Sequence, residues 1–350
     1  MRLVTFDSLP RGQGPVRIGE KPWLTLGGLH DNDSLELDER GLHLTATELA
    51  SGVLVVGDHQ RLKFFDPRGQ LQRIVGRAGH GPGEFSSIRD LCPQRDSTLI
   101  VIDDDGRISH WSSDGDHLRT HERLGFIPLR GCTPDGKLLV QASEAGEPAF
   151  DPQVRRRLKT VLSRPDGTLV AELGRMPAPE YFGQIFFEPG YAVSETGVLV
   201  GDSRTFVLTE HDLTTGASTK RWQLRHALRE LSSALWDSLV DISVPRNATA
   251  ATAARIRSSR ERLGNPGVLP GFHRLHVDGD GGIWLSRYFD SRRWLVIDSG
   301  GRRLSELILP VDSTARPDLA GFTRRGPIVK YTDSDGARVL SFHDRFRPVR

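Results

Sequence analysis

The chain has 350 residues, with 47 Lys and Arg against 45 Asp and Glu, and a formal charge of only +2. That balance gives no electrostatic reason to expect nucleic acid or an anionic membrane as partner, and no apolar run approaches the ~20 residues of a membrane-spanning helix. Thirty-seven glycines and 21 prolines beside 7% aromatics suit many short strands and turns.

Residues 1–20 carry Arg2 but lack the apolar stretch of ~7–15 residues that marks a secretory signal, so they are read as an N-terminal extension. Lys21 to Leu26 reads as a lone strand. A unit then appears that the rest of the chain repeats at about 40–45 residues, the period of a propeller or solenoid. In it Val53–Val56, Leu62–Phe65 and Leu71–Val75 are short apolar runs, with the tight-turn signature Asp66-Pro67-Arg68-Gly69 between the last two. A glycine-rich loop, Gly76 to Gly83, resets the pattern.

The second unit holds Thr98–Ile102, Arg107–Trp111 and His117–Leu124; the third holds Lys137–Gln141, Leu158–Leu162 and Leu169–Leu173. Val198–Val200, Thr205–Glu210 and Thr219–Leu224 make the fourth, and Gly282–Ser286, Arg293–Ile297 and Leu304–Leu309 the fifth. The sixth supplies only Pro327–Tyr331 and Ala337–Phe342, so its outer strand must come from elsewhere. A ring that fails to close exposes a strand edge. Residues 21–28 can close it, which predicts an all-β, six-bladed β-propeller of four-stranded blades spanning 1–350 as one domain.

Long connections, Ala142–Arg157, Gly174–Pro189 and Arg225–Gly271, all fall at second-to-third or fourth-to-first junctions, which share one face of a propeller. The longest, placed between blades four and five (225–265), is helical. Leu228, Leu231, Leu235, Leu239 and Ile242 recur at helical spacing; Pro245 ends that helix, and Asn247 is positioned to cap a second over 248–263. This pair is expected to lie over the mouth of the ring, with the arginines of the second helix facing solvent.

Gly76-Arg77-Ala78-Gly79-His80-Gly81-Pro82-Gly83-Glu84-Phe85, preceded by Val56-Gly57-Asp58 and Arg61-Leu62-Lys63-Phe64-Phe65-Asp66, resembles the NHL repeat. From about residue 20 to 345 the chain resembles the bacterial six-bladed propellers of the NHL-repeat-like superfamily. The resemblance implies a helical insertion after the fourth blade, a segment like Leu269 to Trp284 opening the fifth, and export to the periplasm or outside the cell.

Several motifs read as structural. The Gly76–Gly83 loop lacks the lysine and spacing of a phosphate cradle, and Glu84 is expected to accept backbone or Arg hydrogen bonds that fix the crossover. Asp-rich turns at 103–106, 278–281 and 333–336 fit Asx turns better than cation loops. No HExxH or GxSxG pattern is present. Related six-bladed lactonases of the gluconolactonase and paraoxonase kind hold an axial metal through Asn, Glu and Asp; here only Asn32, Asn247 and Asn265 exist, none on an expected inner strand. No metal or cofactor is therefore expected. Cys92 and Cys132, 40 residues apart and each just before an equivalent turn, fit either two unpaired thiols or a disulfide between neighbouring units.

The expected activity is binding of a small polar ligand or a protein partner on the insertion-bearing face by a monomer, with a hydrolase or lyase at the channel mouth as the alternative. Candidate contacts are Asp58, His59, Arg61, Asp103, Asp104, Tyr181, Asp202, Arg204, Arg287, Tyr288 and Asp290.

Overall fold

The computed structural model describes residues 1–7, 17–28, 36–37, 44–121, 129–142, 157–182, 185–194, 197–225, 228–242, 244–245, 247–288, 290–298, 300–302, 304–311 and 317–346. They form six four-stranded antiparallel blades in a ring. Blade one is Leu44–Glu48, Leu54–Asp58, Arg61–Phe65 and Leu71–Val75; blade two is Ile88–Pro93, Leu99–Asp103, Ile108–Trp111 and His117–His121. Blade three is Leu129–Cys132, Leu138–Ala142, Arg157–Ser163 and Leu169–Pro177; blade four is Gly190–Val193, Gly197–Asp202, Val207–Asp212 and Ser218–Leu224. Blade five is Leu275–Val277, Ile283–Arg287, Asp290–Ile297 and Leu304–Ile308.

The sixth blade joins the two ends of the chain. Asp318–Phe322, Pro327–Thr332 and Arg338–Phe342 are completed by Leu24–Gly27, whose partner in register is Arg338–Phe342. Leu26 is 3% exposed, and the Trp23 ring meets Phe342 edge-on at 5.5 Å while the Arg325 guanidinium stacks 4.4 Å above it. A second clasp pairs Arg17–Ile18 with Arg345–Phe346, and buried His343 engages the Gly19 carbonyl at 2.8 Å.

The apolar runs are continuous rather than alternating because each middle strand is covered on both sides. In Leu99–Asp103, Leu99 and Val101 pack toward blade one, whereas Ile100 and Ile102 pack toward blade three. Hydrophobic clusters of this kind occupy every junction around the ring, the sixth-to-first included. At that junction a Cβ on Gly321 would lie 1.9 Å from the Ala46 carbonyl, so only glycine allows the inner strands to approach. The turn Asp66–Gly69 closes as expected: Asp66 accepts from the Arg68 and Gln70 amides, and Gly69 takes φ 83°.

Several details differ from the sequence reading. The four-stranded blades expected from the sequence imply an innermost strand for which that reading gives no bounds, and the structure supplies it in every blade. The N-terminal extension contains a strand, Arg2–Phe6, that adds parallel to Ser218–Leu224 as a fifth strand of blade four. The helices are α1 (Ser233–Ile242) and α2 (Ala250–Leu263), so Leu228 and Leu231 precede the first. Thr249, not Asn247, caps the second by accepting the Thr252 amide at 3.2 Å. Of the strand expected over His117–Leu124, His117–His121 is present; 122–128 lie outside the described residues, as does 143–156 of the first long connection.

Cys92 and Cys132, on the inner strands of blades two and three, are joined as a disulfide with Cα atoms 6.0 Å apart. For a loop of 40 residues, chain entropy assigns such a link about 4 kcal/mol.

Closure by the N-terminal strand has a measurable consequence. Leu26→Ala should cost about 2–5 kcal/mol in chemical unfolding, whereas the same change at Leu3, 55% exposed, should cost under about 0.5 kcal/mol. Equal effects would place closure elsewhere. Intact mass before and after reduction should differ by two hydrogens, and reduction should lower the denaturation midpoint; a native chain that alkylates at both cysteines contradicts the bridge. Acid should also destabilise the ring. Burial holds His110 and His276 near a pKa of about 4, against an ordinary 6.5. The unfolded chain therefore takes up these protons first, and stability falls as pH drops from 6.5 toward 4. His276→Phe should flatten that decline in Tm; an unchanged decline would assign it to other groups.

Candidate functional site

The first strand of each blade runs from the insertion-bearing face toward the opposite one. Charged side chains at its beginning therefore gather around one mouth of the central channel. They line a cavity of about 600 Å³ that draws on all six blades. Arg89 and Asp90 come from blade two, Arg130 from blade three, Glu188 and Tyr191 from blade four, His273, Arg274 and His276 from blade five, and Asp318 and Lys330 from blade six.

These groups are held by one another. Arg130 lies 3.6 Å from Glu188, donates to Gln141 Oε1 at 3.0 Å and stacks over Tyr191. Gln141 in turn donates to the Tyr191 hydroxyl, which donates to the Pro177 carbonyl at 3.2 Å. Burial pushes the Tyr191 phenol well above its ordinary range, so it stays protonated and can donate. Asp318 is shared by Arg274 at 3.6 Å and Lys330 at 3.8 Å. Lys330 also donates to the Leu44 carbonyl, and burial lowers its pKa despite Asp318. His273, edge-on to Tyr288 at 6.0 Å, is likewise lowered by burial. His276 opens on the channel but is packed by Trp294 and Phe322, so it is neutral at pH 7. Arg89 differs: its Nη2 is buried with no hydrogen-bond partner among the described residues. At neutral pH the mouth carries one more cation than anion, with a protonated phenol and neutral imidazoles between them.

None of the eleven residues singled out from the sequence lines this cavity; they stand in outer turns of the same face. Asp58 pairs with buried Lys63 at 2.8 Å. His59 adopts φ 55° in the two-residue hairpin turn between Asp58 and Arg61, and Arg61 is exposed. Asp103 accepts the Arg107 amide at 2.9 Å, and the Asp104 amide donates to Ser87. Between these two turns runs the glycine-rich loop. There Glu84 accepts from the Gly81 amide and Arg77, while Arg107 donates to the Gly81 and Glu84 carbonyls, the crossover brace expected from the sequence.

A second group is drawn together around the hairpin of Glu180–Phe182 and Ile185–Phe187. Arg204 pairs with Glu180 and lies over Phe182 and Phe187, and the Tyr288 hydroxyl accepts the Phe186 amide at 2.9 Å. Tyr181 lies within the first of those strands, and its side chain is outside the described residues. Asp202 accepts from the Arg204 amide and Thr205, Asp290 pairs with Arg293 at 3.1 Å, and Arg287 Nη1 is buried with no hydrogen-bond partner among the described residues. Helix α1 buries Trp236 against this hairpin, with Leu231 and Leu269 in the same small core. No residue of either helix is among those lining the channel cavity, so the expected covering of the mouth by the helices is not seen there.

Inner-strand residues escaped notice for a physical reason. Ladder irregularities at Ile88/Asp90, Leu129/Gly131 and Leu319/Gly321 break the period of two. The remaining signal is an arginine within or beside a short apolar segment just before a tight turn, as in Ile88-Arg89-Asp90-Leu91-Cys92 and Leu129-Arg130-Gly131-Cys132.

No family model and no curated protein matches the chain. Among solved structures it is similar to a candidate exported protein from Bacteroides fragilis, at 11% identity and TM-score 0.57 over 99% of both chains. Regucalcin, a calcium-binding protein from Agrobacterium tumefaciens, aligns at 13% identity over 100% of this chain and 99% of that one, with TM-score 0.41. A gluconolactonase from Xanthomonas campestris aligns at 17% identity over 95% and 98%, with TM-score 0.42. At such identities likeness speaks for architecture alone, and in architecture the chain is a six-bladed β-propeller closed by its own N-terminal strand.

Proposed function

We propose that this propeller is a ligand-binding module and that its site is the channel mouth on the insertion-bearing face. The observation that carries the reading is Arg89. Burying a guanidinium N–H without an acceptor costs free energy, and here the unmatched donor sits in a cavity of about 600 Å³, a size suited to a small molecule. The ligand is a small polar molecule that presents an anionic group to Arg89 and a flat or apolar part to Tyr191 and His273. Carboxylates around the mouth exclude polyanions and favour a ligand that also carries donors for Glu188 or Asp318. Fixed ion pairs hold the walls, so little ordering accompanies binding. Export to an oxidising compartment fits the Cys92–Cys132 disulfide, and no described helix is long and apolar enough to cross a membrane.

Native mass spectrometry of protein purified without denaturation, followed by calorimetric titration of any retained compound, tests the reading. Arg89→Gln should weaken binding by about 1.5–3 kcal/mol, the value of a hydrogen bond to a charged group, with the circular dichroism spectrum unchanged. A retained compound bound equally by Arg89→Gln would place the site elsewhere. Turnover of an ester or lactone abolished by that substitution would favour a hydrolase.

A further inference from the structure

The seam between blades two and three is apolar on the channel side and polar toward the rim. Register aligns its two walls. In blade two, Cys92, Ile100, His110 and Arg119 are cross-strand partners in one row, and Ile102, Ile108 and His121 stand in the next. In blade three the matching rows are Cys132, Leu138 and Ser163, and Val140, Val161 and Glu172. The Cys92–Cys132 disulfide joins the inner ends of the first pair, so His110 and Ser163 stand at corresponding places on the two walls.

Three polar atoms in these rows are buried with no hydrogen-bond partner among the described residues: His110 Nε2, His121 Nε2 and Ser163 Oγ. The imidazoles of His110 and His121 meet edge-on, their centroids 5.3 Å apart. Two neutral rings fit this arrangement, and two charged ones do not. An imidazolium needs an acceptor for each N–H, and neither Nε2 has one. Arg119, in register with His110, sets a guanidinium beside both rings and opposes a proton on either, and His117 opposes one on His110. The carboxylates around the pair lie exposed at the rim and are already engaged. Asp96 accepts from Thr98; Asp166, in one turn with Arg164, accepts the Thr168 amide; Glu172 pairs with Lys159 at 2.8 Å. Asp96 favours a proton on His110 and Asp166 one on His121, but burial outweighs both and keeps the rings neutral.

We propose that this seam is an acid-sensitive hinge. Protonation of His110 and His121 parts the rims of blades two and three, while the cystine keeps their inner strands together. The sign follows from burial: in the opened seam both imidazoles meet water and charge in their ordinary range, near 6.5, whereas in the closed seam they resist. Opening is therefore suppressed at neutral pH and favoured as pH falls below 6.5. Arg89 and Arg130 lie on the strands that the cystine joins, so they hold their places at the channel mouth in the opened form. The hinge is thus independent of the ligand reading above.

Hydrogen exchange of the oxidised protein at about pH 7 and about pH 4.5, each rate referred to the unstructured chain at the same pH, tests the hinge. Protection of His117–His121 and Arg157–Ser163 should fall about tenfold or more at the lower pH. Ile88–Pro93, Leu129–Cys132 and, in blade four, Val207–Asp212 should keep theirs. No loss at the rim, or an equal loss in all five segments, overturns the hinge. His110→Phe combined with His121→Leu should hold rim protection at its neutral-pH level; a variant that folds and still loses it overturns the assignment. Should that variant fail to fold, NMR titration of the wild-type imidazoles decides: both should take up protons only as rim protection is lost. Titration of the pair in the ordinary range at full protection overturns the proposal. After reduction of the cystine, the acid-induced loss should spread to Ile88–Pro93 and Leu129–Cys132; inner strands equally protected without the bridge overturn its role as the fixed end.

Discussion

Everything in this molecule depends on one strand pairing, that of Leu24–Gly27 with Arg338–Phe342. Each blade is a small sheet with two apolar faces, and neither face is covered until a neighbour stands on each side. A row of such blades would leave one face bare at each end. Returning the N-terminus to the last blade converts the row into a ring in which every junction has its own core. Trp23 beneath Arg325 and the pairing of Arg17–Ile18 with Arg345–Phe346 reinforce the same join. The lever is long: the paired residues lie at opposite ends of the chain, so little else constrains the termini in the unfolded state.

Closure also explains why the insertion-bearing face looks as it does. Six inner strands converge on one axis, and polar side chains at their starts have nowhere to point except toward each other and the channel. The ring answers the resulting charge by pairing most of it, Arg130 with Glu188, and Arg274 and Lys330 with Asp318. Arg89 is left with an N–H unmatched among the described residues, and it is that remainder, rather than the charge count, that sets this mouth apart. The outer turns follow a different logic. Their aspartates and arginines accept and donate within their own hairpins or to the loop beside them, the usual fate of Asp in tight turns.

The helical insertion illustrates how a segment can be legible as an element and opaque as a part. Its amphipathic spacing announced helices, and helices form. Where the first of them docks was decided by Phe182, Ile185 and Phe187, residues of a hairpin far back in the chain that offers Trp236 an apolar surface. Helical spacing specifies that one stripe will be buried, but not against what.

By itself the sequence determined the repeat, the tight turns, the all-β class and the need for a closing strand. These rest on local chemistry: β-branched runs, Asp-Gly and Pro turns, and an incomplete last unit all read within a few residues. It also brought Cys92 and Cys132 to equivalent positions, while leaving open whether they join. Tertiary structure alone decided that pairing, by setting two inner strands side by side. It alone assembled the channel mouth, because Arg89, Arg130, Glu188, Arg274, Asp318 and Lys330 share no motif and meet only when the ring shuts.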